Sequence, residues 1–350
     1  MTIDRIGQQI GHYRLTRLLG QGGFAEVYLG EHIHLNTQAA IKVLRTQIAR
    51  DDVASFRTEA RTLAHLRHTN IVTILDFGVE NDTPFLVMEY APNGTLRQRH
   101  PRGVPLPLPV LLPYAKQVAA ALQYAHSNNL IHRDVKPENM LLNYKNDVLL
   151  SDFGIALVVQ STHPQSNKEP AGTWAYMAPE QIEGRPCAAS DQYALGIIVY
   201  EWLTGVQPFQ GKYVEVASQH LKAVPPAMSE KLPTISPEVE KVVLISLAKD
   251  PKQRFGSVQA FATALEQACQ EDLSTKLMPP GNSSSQSAIS AKEPIMEAAL
   301  NGPSGRMFLR SSVVTIGSMN DNQFVISDPS VSPHHAEIRS ERERAIVSLI

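Results

Sequence analysis

Cysteine is scarce. Only Cys187 and Cys269 occur in 350 residues, too few for a disulfide framework, so a reducing, cytoplasmic setting is expected. CxxC pairs and clustered Cys/His ligands are lacking, which argues against a structural zinc site. Excess charge of one sign is lacking too. Lys plus Arg number 32 and Asp plus Glu 34, a formal net charge of −2. No whole-chain basic field therefore holds nucleic acid or an anionic membrane, and neither is expected as a partner. Long apolar runs are missing. A membrane span needs about 20 mostly apolar residues. The best candidate, Tyr193 to Val206, is shorter and carries Glu201 and Gly205, so it reads as a buried helix. The opening MTIDRIGQQI has no basic stretch followed by an apolar one, so no secretory leader is expected there. The remaining composition, 43% hydrophobic and 19% charged, is ordinary globular usage, and the length suggests two domains or a little more.

The chain changes character twice. Residues 13–89 read as strand-rich. Tyr13–Leu19, Glu26–His32, Gln38–Leu44, Ile71–Phe77 and Pro84–Tyr90 are β-branched or alternating, and Val53–Leu66 has the spacing of a helix. From residue 90 the pattern is helical, with candidates at Leu111–His126, Ala188–Thr204, Ser236–Ala248 and Ser257–Cys269. Pro105, Pro107, Pro109 and Pro113 precede or open the first of these, where proline is tolerated. Ser236-Pro237-Glu238 has the form of an N-cap followed by proline at the first helical position. Residues 270–304 include PPGNSSSQS and read as a flexible linker. Short β-like runs return over 305–350, at Met307–Leu309, Ser312–Ile316, Gln323–Ile326, Ala336–Arg339 and Ala345–Ile350.

Five strings carry chemistry. Gly20-Gln21-Gly22-Gly23-Phe24-Ala25-Glu26-Val27 lies between two strands, where glycines let backbone amides approach phosphate oxygens. Ala40-Ile41-Lys42 on the third strand offers a cation for phosphate, and Glu59 on the following helix can hold that ammonium in place. His132-Arg133-Asp134-Val135-Lys136-Pro137-Glu138-Asn139 is the most specific string. Its aspartate can accept a proton from a hydroxyl, its lysine can meet a transferring phosphate, and its asparagine offers an oxygen to a hard cation such as Mg²⁺. Asp152-Phe153-Gly154, after Val148-Leu149-Leu150, places a carboxylate at a strand end beside a flexible glycine. Ala178-Pro179-Glu180 follows Gly172-Thr173, and Asp191 and Arg254 come later.

In this order the five strings resemble the catalytic domain of protein kinases, over about residues 13–269. HRDVKPEN, SDFGIA, GTWAYMAPEQ and SDQYALGIIVYEWLTGVQPF are most similar to bacterial eukaryotic-like (Hanks-type) serine/threonine kinases. The resemblance implies an α+β bilobal fold, with a β-rich N-lobe at 13–89 and a helical C-lobe at 90–269. It implies transfer of the ATP γ-phosphate to Ser/Thr hydroxyls of protein substrates, with Mg²⁺ (Mn²⁺ as a substitute) as cofactor. Gly20, Gln21, Gly22, Gly23, Phe24 and Val27 cover the nucleotide phosphates in this reading, and Ala40 belongs to the same site. Lys42 pairs with phosphates and with Glu59. Met88 is the gatekeeper, and Glu89 to Ala91 are the hinge. Asp134 is the catalytic base, Lys136 a γ-phosphate contact, and Asn139 and Asp152 the metal ligands. Glu180 pairs with Arg254, and Asp191 caps the catalytic loop. Lys136 and Thr173 favour Ser/Thr over Tyr acceptors. Ala25 stands where a third glycine is common, a mild departure.

Arg133 beside the base implies control by a phosphate on the 152–180 segment, where Thr162 and Ser166 are the favoured sites among Ser161, Thr162, Ser166 and Thr173. Self-association for autophosphorylation and a role in signalling go with this. A scaffold without turnover is the rival, but no chemical position is missing. A small-molecule phosphotransferase is disfavoured by the GT…APE segment.

Residues 305–350, with Ile316-Gly317-Ser318 and Ser332-Pro333-His334-His335, resemble the first half of a forkhead-associated (FHA) domain, an incomplete β-sandwich of a phosphothreonine-binding family. Ser332 and His335 match its Ser-x-x-His, but Ser318 stands where that family carries its phosphate-gripping arginine. The family's later Asn-Gly motif is not reached by residue 350.

Overall fold

The computed structural model describes residues 5–23, 25–45, 53–153 and 174–276, and in the C-terminal part 298–302, 305–309, 313–317, 324–325, 336–341 and 344–349. It divides into two compact units, Met1–Pro280 and Gly281–Ile350.

The first unit opens with a six-stranded antiparallel sheet in the order β1-β2-β3-β4-β6-β5. Its strands are β1 (Gln9–Ile10), β2 (Tyr13–Gln21), β3 (Ala25–His32), β4 (Gln38–Leu44), β5 (Ile74–Glu80) and β6 (Thr83–Glu89), and helix α1 (Val53–Ala64) follows β4. Side chains alternate between the faces of a strand. Ala39, Ile41 and Val43 of β4 therefore join Tyr13, Leu15, Tyr28, Phe85 and Val87 in a small core on one face. Ala40 and Leu44 join Leu86 and Met88 in the main core on the other. Lys42 shares the parity of Ala40 and Leu44, and it stands in register between Val27 and Leu86. Gly30 on β3 has a packing reason: a Cβ there would meet Ile41 at 2.7 Å.

The sequence suggests five strands here, and there are six. The expected strand at Ile71–Phe77 lies three residues further on, and Ile71 makes only an isolated bridge to Leu150. The turn explains this. Asn81 and Asp82 have φ of 49° and 60°, the left-handed pair of a tight two-residue hairpin turn, and this sets Glu80 opposite Thr83.

The helical part of this unit comprises α2 (Leu96–Arg99), α3 (Leu108–Ser127), α4 (Pro179–Ile182), α5 (Ala188–Thr204), α6 (Tyr213–Lys222), α7 (Pro237–Ser246) and α8 (Val258–Lys276). A short hairpin, β7 (Met140–Leu142) with β8 (Val148–Leu150), lies between α3 and α4 in the chain. Helix α5 is buried continuously from Ser190 to Leu203, as a helix apolar on all sides must be. Gly196 lets α7 approach it: a Cβ there would lie 2.1 Å from Ser246 Oγ. The Ser236 side chain accepts from Val239 N at 3.2 Å, so the capping motif is real. Helices α2, α4 and α6 were not legible. The first two have four residues each, and Tyr-Val-Glu-Val at the start of α6 reads as strand alternation.

The expected linker at 270–304 is narrower than its composition suggests. Helix α8 runs on to Lys276, with the good helix formers Gln270, Glu271, Leu273 and Lys276 among its last residues. A strand, β9 (Ala298–Gly302), occupies the other end and pairs with β10 (Gly305–Leu309). The second unit also holds a four-stranded sheet in the order β12-β11-β13-β14, formed by β11 (Val313–Gly317), β12 (Phe324–Val325), β13 (Ala336–Glu341) and β14 (Arg344–Leu349). Only the β11–β12 contact is parallel among these described strands.

Candidate active site

The β2–β3 hairpin presents Gly20, Gln21, Gly22 and Gly23 on an exposed tip, closed by Gly22 N donating to Ala25 O at 2.8 Å. Phe24 lies outside the described residues. Beneath the hairpin is a cleft of about 400 Å³. Gly20, Val27, Ala40, Met88, Glu89 and Ala91 line its sheet side and the connection after β6, and Asn139 and Asp152 line the opposite side. Residues 40 and 88 meet here because they are register partners on adjacent strands. Glu89 N donates to Thr73 O at 2.9 Å, which holds the end of β6 to the preceding chain.

The Lys42 ammonium donates to Asp152 Oδ1 at 2.7 Å, across the cleft. Glu59 lies on α1 as expected, but its side chain is outside the described residues, and so is its expected pairing with Lys42. Asp152 has φ of 68°, the left-handed region. Burial pushes its carboxyl up, but the Lys42 ammonium foremost, and Lys136 after it, hold it below the usual carboxylate range. The carboxylate is thus charged where a cation could use it.

The loop between α3 and β7 carries the other groups. Asp191, buried in the first turn of α5, accepts from His132 N at 2.9 Å, Arg133 N at 2.8 Å and His126 Nε2 at 2.7 Å. This is the capping contact expected of it, and it supports Arg133, whose φ is 68°. His132 Nε2 faces Ser151 O at 2.8 Å, so that nitrogen carries the hydrogen. Its Nδ1 then accepts from Asp134 N at 3.2 Å. One neutral tautomer satisfies both contacts, and the ring lies 4.4 Å from that of Phe153.

Asp134 emerges from this frame with two neighbours. Lys136 Nζ donates to its carboxylate at 2.7–2.8 Å. Asn139 Nδ2 donates to its backbone oxygen at 2.8 Å and to Oδ2 at 2.9 Å. Asn139 sits in the 3₁₀ turn Pro137–Asn139, and Ser151 N, just before Asp152, donates to Asn139 O at 2.9 Å. The catalytic string and the DFG string are therefore tied by backbone.

The donors fit a hard cation. Asn139 and Asp152 offer oxygen, and among the described residues no group of three or more His, Cys, Asp or Glu forms a cage of its own. That is what Mg²⁺ wants when phosphates supply the remaining ligands.

Glu180 and Arg254 meet as a fork. Nη1 donates to Oε1 and Nη2 to Oε2, both at 2.8 Å. Burial pushes the Glu180 carboxyl up, but hydrogen bonds from Arg254 and Ser190 hold it below its usual range. Sequence reasoning missed Leu141, which lines the cleft floor. Its signal was the period of two in Met140-Leu141-Leu142, whose outer members are buried and whose middle one is not. Arg17 was also missed. It lines the cleft mouth and donates to the Tyr90 hydroxyl at 3.1 Å, and nothing in its sequence context marks it. Gly154 and Thr173, with Ser161, Thr162 and Ser166, lie outside the described residues.

A nucleotide-sized cleft between a twisted sheet and a helical body, with lysine, two aspartates and asparagine converging on it, defines the protein kinase fold. The protein kinase domain family matches residues 13–268, and the chain belongs to that family. Within it, the relatives are bacterial serine/threonine kinases of the Hanks type. Serine/threonine-protein kinase PrkC of Bacillus subtilis is 38% identical over 272 residues, covering 76% of this chain and 42% of that protein. Serine/threonine-protein kinase pkn3 of Myxococcus xanthus is 35% identical over 314 residues, covering 85% and 57%. The crystal structure of the PknI kinase domain of Mycobacterium tuberculosis is similar with a TM-score of 0.61 at 29% identity, covering 77% of this chain and all of that one. The chain thus spans about two fifths of the length of the PrkC relative. The FHA domain family matches residues 314–349.

Proposed function

We propose that the chain transfers the γ-phosphate of ATP to serine and threonine hydroxyls of protein substrates. The observation that supports this best is that Asn139 and Asp152 line one cleft, with Lys42 hydrogen-bonded to Asp152, and Asp134 to Asn139 and Lys136. Asp134 orients the acceptor hydroxyl and takes its proton. Lys136, already on that carboxylate, steadies it and faces the transferred group. Lys42 leaves Asp152 for the nucleotide phosphates, and Glu59 receives its ammonium. Gly20, Gln21, Gly22, Gly23, Phe24 and Val27 cover the phosphates. Ala40, Met88, Glu89 and Ala91 hold the base. Asn139 and Asp152 would hold Mg²⁺, which would supply positive charge to a transition state spread over phosphate oxygens; Mn²⁺ would suit the same oxygen set.

The kinase domain is assigned to 13–269, divided at 89/90, followed by a linker and the FHA-like segment at 305–350. Arg133 supports control by phosphorylation of the segment after Asp152. Its Nε is buried with no hydrogen-bond partner among the described residues, and a phosphate would supply one. Self-association for that step, a cytoplasmic place, and the absence of nucleic-acid and membrane partners complete the reading. No helix among the described residues is long and apolar enough to cross a membrane.

Incubation with radiolabelled ATP and a generic basic protein tests the activity, with phosphoamino-acid analysis of the product. Incorporation on Ser/Thr that is lost in Asp134→Asn supports it, and no incorporation by the folded, Mg²⁺-supplied protein would sink it. The FHA-like segment does not bind phosphothreonine by itself, because Ser318, outside the described residues, replaces a charged fork by a hydroxyl. Titration with a phosphothreonine peptide library checks this; specific micromolar binding lost on dephosphorylation would overturn it.

A further inference from the structure

Arg97 lies on α2 and was singled out by nothing in the sequence, yet all three of its guanidinium nitrogens are engaged on three different elements. Nε donates to Glu138 Oε1 at 2.8 Å, and Nη1 donates to Glu201 Oε1 at 2.6 Å. Nη2 donates to the Tyr176 hydroxyl. The Tyr176 hydroxyl in turn donates to Glu201 Oε2 at 2.6 Å, closing a ring of contacts. Glu138 belongs to the 3₁₀ turn that carries Asn139, Tyr176 to the turn Trp174–Tyr176, and Glu201 to the buried helix α5. The inner part of the ring is shielded from water: the Glu201 side chain is 3% exposed and that of Arg97 16%, while Glu138 stays half-exposed. Burial pushes the Arg97 guanidinium pKa down, but its hydrogen bond with Glu201 and the neighbouring Tyr176 and Glu138 raise it well above its usual value.

Helix α2 itself is anchored to the strand on the far side of Asn139. Thr95 caps it in a reciprocal box with Gln98, and Leu96 is fully buried. Thr95 bridges to Leu141, and Leu142 N donates to Gly94 O at 2.9 Å. The Pro137–Asn139 turn is thus gripped through the side chain of Glu138 and through the strand that follows it, and both grips originate on α2. A planar guanidinium spreads its donors over three nitrogens at fixed angles and so spans three elements, whereas an ammonium gathers its three donors on one nitrogen.

We propose that Arg97 is a positioning residue for phosphoryl transfer. It holds the Glu138–Asn139 turn so that Asn139 keeps its two bonds to Asp134 and its oxygen toward the cation, and it couples that turn to Tyr176 at the end of the activation segment. The proposal rests on the reading of Asn139 as a Mg²⁺ ligand and Asp134 as the base.

The test uses the full chain, and its first readout needs no turnover. Calorimetry measures ADP affinity with and without Mg²⁺, and the ratio is the Mg²⁺-dependent gain. Arg97→Ala should reduce that gain about tenfold, as loss of a group orienting a metal ligand does. It should lower kcat by about tenfold or more while leaving the KM for a peptide substrate nearly unchanged. Ser236→Ala, which removes the remote cap of α7, should lower the melting temperature without touching the gain. A folded Arg97→Ala protein with the wild-type gain and kcat overturns the proposal. If Arg97→Ala does not fold, Glu138→Ala decides, because it removes only the half-exposed contact to the turn. A reduced gain supports the proposal, and an unchanged gain overturns it. Asn139→Ala separates the two readings. A lost gain there with a normal one in Arg97→Ala overturns Arg97 alone, and a normal gain in Asn139→Ala overturns both.

Discussion

The Arg254–Glu180 and Lys42–Asp152 pairs have nearly the same N···O distance, 2.8 and 2.7 Å, in very different settings. The Arg254 side chain is fully buried and Glu180 8% exposed, whereas Lys42 is 12% and Asp152 31% exposed. Arg254 spends its remaining donors on the carbonyls of Ala248, Ala189 and Lys249, and Glu180 also receives Ser190 Oγ at 2.7 Å. Lys42 holds Asp152 by a single contact between two sides of a cleft. The first pair has no lower-energy alternative once water is excluded. The second can exchange partners when an anion or a cation enters. Equal distances therefore separate a structural fastening from a working site only when the surrounding donors are counted.

Catalysis should be lost where the pairing is open. Asp134→Asn removes the proton acceptor while keeping the size of the side chain that Asn139 and Lys136 surround. Its kcat should fall by about 10²–10⁴, the usual worth of a positioned base, with melting temperature and ATP binding little changed. Steady-state kinetics and calorimetry on the purified variant check this, and substantial residual turnover would remove Asp134 from that role.

Stability should be lost where the pairing is closed. Arg254→Leu leaves the Glu180 carboxylate buried with Ser190 and without its cation. Breaking a buried pair from one side costs about 3–5 kcal/mol. Lys42→Met should abolish turnover yet cost a fraction of that in denaturant unfolding. Equal destabilisation by the two substitutions would erase the distinction between the pairs.

Acid should find the closed region first. His220, on α6, is buried against Tyr193, whose ring also lies 4.8 Å from the Arg254 guanidinium. Burial, then the nearby Lys249 ammonium, push His220 down to about 3. Its folded value is below its unfolded value, so the unfolded chain binds the extra proton between these values and stability falls as pH drops through that window. From pH 8 to pH 5 the loss from this group is about 2 kcal/mol. Chemical denaturation of wild type and His220→Gln at both pH values checks it, and the difference should shrink by that amount in the variant. Asp152 has the same sign in a lower pH window. Its lowered value keeps it charged, and its contribution to stability is present above the ordinary carboxylate range and lost only as pH falls through its own lower one.

Much of the site was legible because its residue types are chemically committed. HRDVKPEN and SDFG each bring a charge next to a turn, and the structure places Asp134, Lys136, Asn139 and Asp152 together as those strings suggest. The strand carrying Lys42 was legible from its apolar pattern, and Ala40 entered the site only through the family resemblance. What stayed hidden is long-range. Arg97 and Glu201 are far apart in sequence, and an arginine in a short polar helix reads as a surface charge. Short elements were hidden for a local reason, since four residues cannot display a helical period, and the hairpin Asn81–Asp82 shifted β5 by turn geometry rather than hydrophobicity.

The smallest effect expected is that of removing Gly281–Ile350. The first unit closes its own core with α8, whose Phe261, Ala262, Leu265, Ala268 and Cys269 are all buried and which packs on α3 and α7. That helix ends at Lys276, before the cut. Both ion pairs, the cleft and the Arg97 ring draw every described contact from residues before 255. Peptide phosphorylation by the shortened chain should match that of the full chain, and its unfolding free energy should differ by less than about 0.5 kcal/mol, the range of changes that touch no core or buried network. Matched kinetics and denaturant titrations of the two proteins check this. A large fall in kcat with stability unchanged would mean that the C-terminal unit acts on the open cleft, and a fall in stability would mean that it completes the closed core.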